Sequence, residues 1–141
     1  MPPIHSSIRV RGYHLDGYGH VNNARYLEFL EEARWAFFEQ ANLPIDANLQ
    51  LIVADVHIRY RQAALNDDVL QIHCRVQEWN KRRIVLQQQI FLNQNPKVAT
   101  EANIILLPAA DGKSVSLPES LQNALARVMQ QQTDLSINEK P

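Results

Sequence analysis

The chain has 141 residues, 45% hydrophobic and 21% charged, with a formal net charge of −1 at pH 7. That is the make-up of one ordinary globular domain, and its near-neutral balance offers no electrostatic footprint for nucleic acid or an anionic membrane surface. The single cysteine, Cys74, excludes an intrachain disulfide, and no window approaches the roughly 18 continuous apolar residues of a membrane span.

The N-terminal stretch MPPIHSSIRV lacks the apolar run of a secretory signal, so a cytoplasmic location is expected. Residues 1–6 read as a loose arm. Ile8 and Val10 alternate with Arg9 and Arg11, the pattern of a short half-buried strand. After Gly12 comes a polar, turn-forming run containing His14, Asp16, Gly17, Gly19, His20, Asn22 and Asn23. It leads into the longest helical pattern of the chain. Asn22 or Asn23 can cap that helix, because its side-chain carbonyl accepts from a free first-turn amide. With Tyr26 at zero and 100° per residue, Phe29, Leu30, Ala33, Ala36, Phe37 and Ala41 fall within about 80° of it. Glu28, Glu31, Glu32 and Glu39 lie opposite, and Trp35 sits among them. Asn42 and Pro44 end the pattern.

From Leu51 the period changes to two. Ile52, Ala54, Val56, Ile58 and Tyr60 share one face, with Val53, Asp55, His57, Arg59 and Arg61 on the other. Further strands are expected over 69–79, 84–92 and 98–107, the first with Leu70, Ile72, Cys74 and Val76 on one face. The breaks at Asn80-Lys81 and Asn93–Pro96 are short enough for antiparallel hairpins. Asp111-Gly112-Lys113 is a turn, and Ser116 with Glu119 has the spacing of a capping box before a short helix. The ordered core should run from about 7 to 130, with 131–141 a frayed polar tail. The architecture is α+β: five antiparallel strands against one dominant helix, with a short C-terminal helix. Apolar residues left over on the other strand faces, such as Val53, Val85, Phe91 and Ile105, point to a partner chain.

A helix N-terminus presents unpaired amides and about half a positive charge, which suits it to hold a developing oxyanion. Asp16 lies a few residues upstream, where it could serve as base or nucleophile on a carbonyl held there. A capped Asp-Gly turn with structural glycines would use the same residues, and spacing alone leaves both readings open. His14, Asp16 and His20 could be taken for metal ligands, but the neighbouring Gly and Asn residues fit turns without a metal. Cys74, on an apolar strand face, reads as a buried inert thiol. There is neither a G-x-S-x-G nucleophile elbow nor a G-x-x-x-x-G-K phosphate loop.

The run D-x-x-G-H-V-N-N-x-x-Y, here Asp16, Gly19, His20, Val21, Asn22, Asn23 and Tyr26, followed by a glutamate-rich amphipathic helix, resembles the 4-hydroxybenzoyl-CoA thioesterase-like branch of the hotdog-fold thioesterases. RGYHLDGYGHVNNARYLEFLEEARW is especially similar to the bacterial long-chain acyl-CoA thioesterases of that branch, and the likeness extends through IRYRQAALNDDVLQI to cover roughly residues 8–130. It implies a hotdog fold and hydrolysis of fatty acyl-CoA, of medium to long chain, to free acid and coenzyme A. It makes Asp16 the acid that acts on the thioester, as nucleophile or as base for water. The Asn23 amide becomes the oxyanion donor, His20 a candidate to orient water or the thioester, and Gly19 and Tyr26 part of the acyl site. The Lys81-Arg82-Arg83 run could meet coenzyme A phosphates, with Arg59 and Arg61 a second possible source, unless the run is only a solvated hairpin tip. The resemblance further implies a homodimer or homotetramer with active sites at the subunit interface, and neither metal nor cofactor. One departure is visible: relatives read Arg-Arg-Pro-Ala where this chain has Arg61-Gln62-Ala63-Ala64. A non-catalytic acyl-CoA-binding hotdog protein and an acyl carrier protein thioesterase are the competing functions.

Overall fold

In chain order the elements are β1 (Ser6–Arg9), a single 3-10 turn (Gly12–His14), α1 (Asn23–Gln40), β2 (Gln50–Tyr60), β3 (Val69–Asn80), β4 (Arg83–Leu92), β5 (Val98–Ala110), β6 (Lys113–Ser114) and α2 (Glu119–Glu139). The computed structural model describes residues 1–139. The strands form one curled antiparallel sheet in the order β1-β3-β4-β5-β2, with the two-residue β6 paired to the end of β5. Asp111 (φ 51°) and Gly112 (φ 74°) make the β5–β6 turn, the left-handed pair a two-residue hairpin requires.

By packing the chain divides into two units, with residues of β2, β3, β4 and β5 in both. The first comprises Met1–Gln40, His57–Cys74 and Gln88–Ala102. Its core joins Tyr26, Phe29, Leu30, Ala33 and Phe37 of α1 to Leu70, Ile72 and Cys74 of β3 and Ile90 of β4, all buried. The helix and strand periods predicted the α1 and β3 residues, because each set repeats on one face. The second comprises Ala41–Val56, Arg75–Gln87 and the chain from Asn103 onward. Its buried side chains include Val76, Ile84, Leu86, Ile104, Leu106, Leu117, Leu121 and Leu125.

Several expectations are corrected. Residues 1–6 are tied down rather than loose: His5 N–H donates to Ile72 O at 2.8 Å, its Nδ1 accepts from Cys74 N–H at 2.9 Å, and its carbonyl accepts from Gln40 Nε2. Ser116 does not start α2. The helix begins three residues later, where Pro118 O receives the amides of Leu121 and Gln122. α2 also continues through the polar tail to Glu139, fastened by Gln132, which accepts from Val76 N–H and donates to Val76 O. Of the apolar residues expected to be left over, Val85 and Phe91 are buried, while Val53 stays exposed. β2, the last strand of the sheet, is exposed along most of both faces. Among the described residues no helix is long and apolar enough to cross a membrane.

Candidate active site

The loop before α1 is shaped by the carboxylate of Asp16. Its Oδ1 accepts the amides of Tyr18 (2.8 Å) and His20 (3.1 Å), an Asx-type turn. Asp16 N–H donates to His20 O at 2.7 Å, and Leu15 faces Val21 as a bridge pair. Gly19 has φ +79°, a conformation that explains the glycine, since a Cβ there would meet nothing within 4 Å. The loop is stitched to the segment after β2 by Val21 N–H to Ala64 O and by the bridge His20–Leu65.

Beneath the loop His14 is an anchor. Its buried ring packs edge-on against Phe29 (centroids 5.0 Å apart), Nδ1 accepts from Arg11 N–H, and its carbonyl receives Asn22 N–H. Burial, aided by Arg25, lowers its pKa. Among the described residues no three His, Cys, Asp or Glu side chains come together as metal ligands.

Asn22, not Asn23, is the cap: its Oδ1 accepts from Ala24 N–H at 2.9 Å and its carbonyl from Arg25 N–H. Asn23 is the first helical residue. With its neighbours' amides so engaged, the Asn23 N–H has no partner among the described residues, as expected of an N-terminal helical amide.

Asp16, His20, Asn23 and Tyr26 line one cleft of about 330 Å³, together with Val21, Tyr60, Arg61, Gln62 and Ala63. Val21 and Tyr26 are buried; the Tyr26 hydroxyl accepts from Ala64 N–H at 3.4 Å, and its ring meets Tyr60 edge-on at 5.0 Å. Burial raises the pKa of both tyrosines. Asp16 Oδ2 makes no hydrogen bond among the described residues, so one carboxylate oxygen is fixed to the loop and the other is available. Arg61 is committed to Glu101 at 2.8 Å.

Not every predicted residue gathers here. Gly19 shapes the loop but does not line the cleft, and neither does Arg59. Lys81, Arg82 and Arg83 belong to the other packing unit and are also absent from the lining. There Lys81 O receives Leu117 N–H, Arg82 N–H donates to Asn80 Oδ1, and Arg83 pairs with Glu78 at 2.7 Å. Cys74 is buried, and desolvation pushes its thiol up to about 12, so it holds its proton at neutral pH. Tyr60, Gln62 and Ala63 escaped the sequence reading as site residues. The pointers to them were their place in the run that resembles the thioesterases and, for Gln62 and Ala63, the departure from the relatives' Arg-Arg-Pro-Ala.

The chain belongs to the Thioesterase-like superfamily, whose family model matches residues 10–125, and its fold is the hotdog of the thioesterases. It is 37% identical over 131 residues to the long-chain acyl-CoA thioesterase FadM of Escherichia coli, an alignment covering 89% of this chain and 99% of FadM. To the acyl-CoA thioesterase YbgC of Haemophilus influenzae it is 29% identical over 125 residues, 84% of this chain and 92% of that one. The crystal structure of E. coli YbaW superposes with a TM-score of 0.75 at 36% identity, covering 89% of this chain and 98% of the other.

Proposed function

We propose that the chain hydrolyses fatty acyl-CoA, of medium to long chain, to free acid and coenzyme A. The observation that carries this is the pairing in one cleft of a carboxylate with an unengaged oxygen, Asp16, and an unengaged helix N-terminal amide, Asn23. The likeness to FadM and YbgC supplies the substrate class. The thioester carbonyl oxygen would accept from Asn23 N–H, where the amide and helix dipole favour the oxyanion. In one route Asp16 Oδ2 takes a proton from water as the water oxygen adds to the carbonyl carbon. Collapse of the tetrahedral intermediate breaks the C–S bond, and the proton passes to the departing thiolate. In the other route Oδ2 adds to the carbon directly and expels the thiolate, and water then resolves the anhydride. His20 orients water or the thioester, Tyr26 walls the acyl side, and Gly19 gives the loop its turn. Arg59, Lys81, Arg82 and Arg83 are assigned to coenzyme A phosphates.

The whole chain acts as one hotdog domain and as a homodimer or homotetramer with sites at the subunit interface. β2 supports the assembly: it is a terminal strand bearing exposed Ile52, Val53 and Val56, an edge and an apolar surface that a second copy can cover. Sedimentation of the purified protein measures the assembly; a monomer at micromolar concentration sinks it. Thiol release from acyl-CoA across chain lengths, followed with a thiol reagent, tests the activity. Saturable binding of acyl-CoA without thiol release would instead identify a non-catalytic binder.

A further inference from the structure

We infer that Gln62 recognises an amide in the thiol arm of the substrate and is a specificity-determining residue of the reaction proposed above, on which this assignment rests. β2 ends at Tyr60, and the next two amides, Arg61 and Gln62, both donate to Ala99 O, at 2.9 and 3.0 Å. Two residues facing one is a bulge, a device that re-aims side chains beside functional sites. In a regular strand successive side chains point to opposite faces. Here Tyr60, Arg61, Gln62 and Ala63 all line the cleft.

The cleft is graded from floor to rim. Val21 and Tyr26, exposed by 2% and 3%, form the floor, whereas Tyr60, Arg61, Gln62 and Ala63 are open to solvent. His20 and Asn23 are exposed as well, so with the acyl chain assigned to the Val21 and Tyr26 floor, the sulfur arm of a thioester held by Asn23 beside Asp16 is left to the open rim. Of the rim's polar side chains on the bulge, Arg61 is taken by Glu101. The Gln62 carboxamide has no partner among the described residues. It offers two donors and an acceptor without charge, the complement of a secondary amide rather than of a phosphate. Arms of the pantetheine type carry such amides within a few bonds of the sulfur, so the chemistry fits a coenzyme A or carrier-bound thioester better than a simple alkyl one.

The test compares wild type with Gln62→Ala on one acyl group carried by three thiols: coenzyme A, N-acetylcysteamine, which keeps one arm amide, and ethanethiol, which has none. Loss of one neutral hydrogen bond predicts a threefold to tenfold rise in KM for the amide-bearing substrates whose amide Gln62 meets, coenzyme A at least. The kcat should stay within about twofold, because the contact is made in ground and transition states alike, and kcat/KM for the ethanethiol ester should be unchanged. An unchanged KM for acyl-CoA, or an equal loss of kcat/KM on all three esters, overturns the assignment; the second result would make Gln62 a general support of the loop. If wild type releases thiol from none of the three, the thioesterase reading fails and this inference with it, a result distinct from either of the others.

Discussion

The guanidinium of Arg34 donates to Gln88 Oε1 at 3.2 Å inside the first unit, and Gln88 Nε2 donates in turn to Leu30 O at 3.0 Å and Cys74 Sγ at 3.1 Å. Gln88 is fully buried, and Arg34 nearly so; burial lowers the pKa of Arg34. A buried cation bound to one neutral acceptor is costly to strip further. Gln88→Leu should therefore destabilise the chain by about 3 kcal/mol, since it leaves a charge unsatisfied. Adding Arg34→Met should restore most of that loss, because both partners are then apolar. Urea midpoints at constant m measure both variants; a double variant no more stable than Gln88→Leu would show that the pair is not the source of the loss.

Asp16 is best tested with Asn rather than Ala. Asparagine keeps an oxygen for the Tyr18 and His20 amides but is neither base nor nucleophile at neutral pH. Asp16→Asn should fold as wild type and lose at least about 10² in kcat. Asp16→Ala should lose as much activity and also about 1 kcal/mol of stability, the scale for an Asx-type cap. Retention of a tenth of wild-type kcat by Asp16→Asn would remove Asp16 from the chemistry.

For Asn23 the backbone donor should matter more than the side chain. Asn23→Ala should leave kcat nearly unchanged, because Asn22 supplies the cap. Asn23→Pro deletes only the N–H, at a helix position where proline is tolerated, and should lower kcat by about 10². Equal kcat in two folded variants would place the oxyanion elsewhere.

Lys81, Arg82 and Arg83 carry the nucleotide end of the proposal. Replacing all three with Ala should raise KM for acyl-CoA with little change in kcat, and should flatten the salt dependence of kcat/KM. The Arg83–Glu78 pair is exposed on both sides, so its loss should cost well under 1 kcal/mol of stability. An unchanged KM would leave the cluster a solvated turn.

Acid should loosen the N-terminal arm. Burial, and secondarily His73, hold the His5 imidazole down to about 4 when folded, against 6.5 as its ordinary value. The unfolded chain then binds the proton more readily, so stability from neutral His5 is present above pH 6.5 and lost as pH falls through 4. His5 is only partly buried, so solvent screening leaves on the order of 1 kcal/mol of this effect. His5→Asn offers an uncharged acceptor to Cys74 N–H and should be less acid-sensitive than wild type between pH 6.5 and 4. Parallel stability curves over that range would exclude His5.

Much of this molecule was legible from periodicity. The α1 core residues and the Leu70, Ile72, Cys74, Val76 face needed only periods of 3.6 and 2. Arg34 was missed although it lies about 80° from Tyr26 on the helical wheel, because composition marks arginine as a surface residue. The tethering of His5 depends on a side-chain nitrogen accepting from a strand some seventy residues away, which no local pattern records. The Asp16 loop and the helix start were visible as a motif. The rim of the cleft was not, because a bulge suspends the alternation by which a strand is read.

Gln132 has a consequence for how the molecule keeps to itself. β3 runs on past its last pairing with β1 at Ile72, and at Val76 a side-chain amide takes both the N–H and the C=O. A single carboxamide thereby stands in for one residue of a neighbouring strand. An unsealed stretch of that kind is a template on which a foreign strand can grow. Gln132 thus blocks β-addition at Val76, a task given to a helix that contributes nothing to the cleft lining.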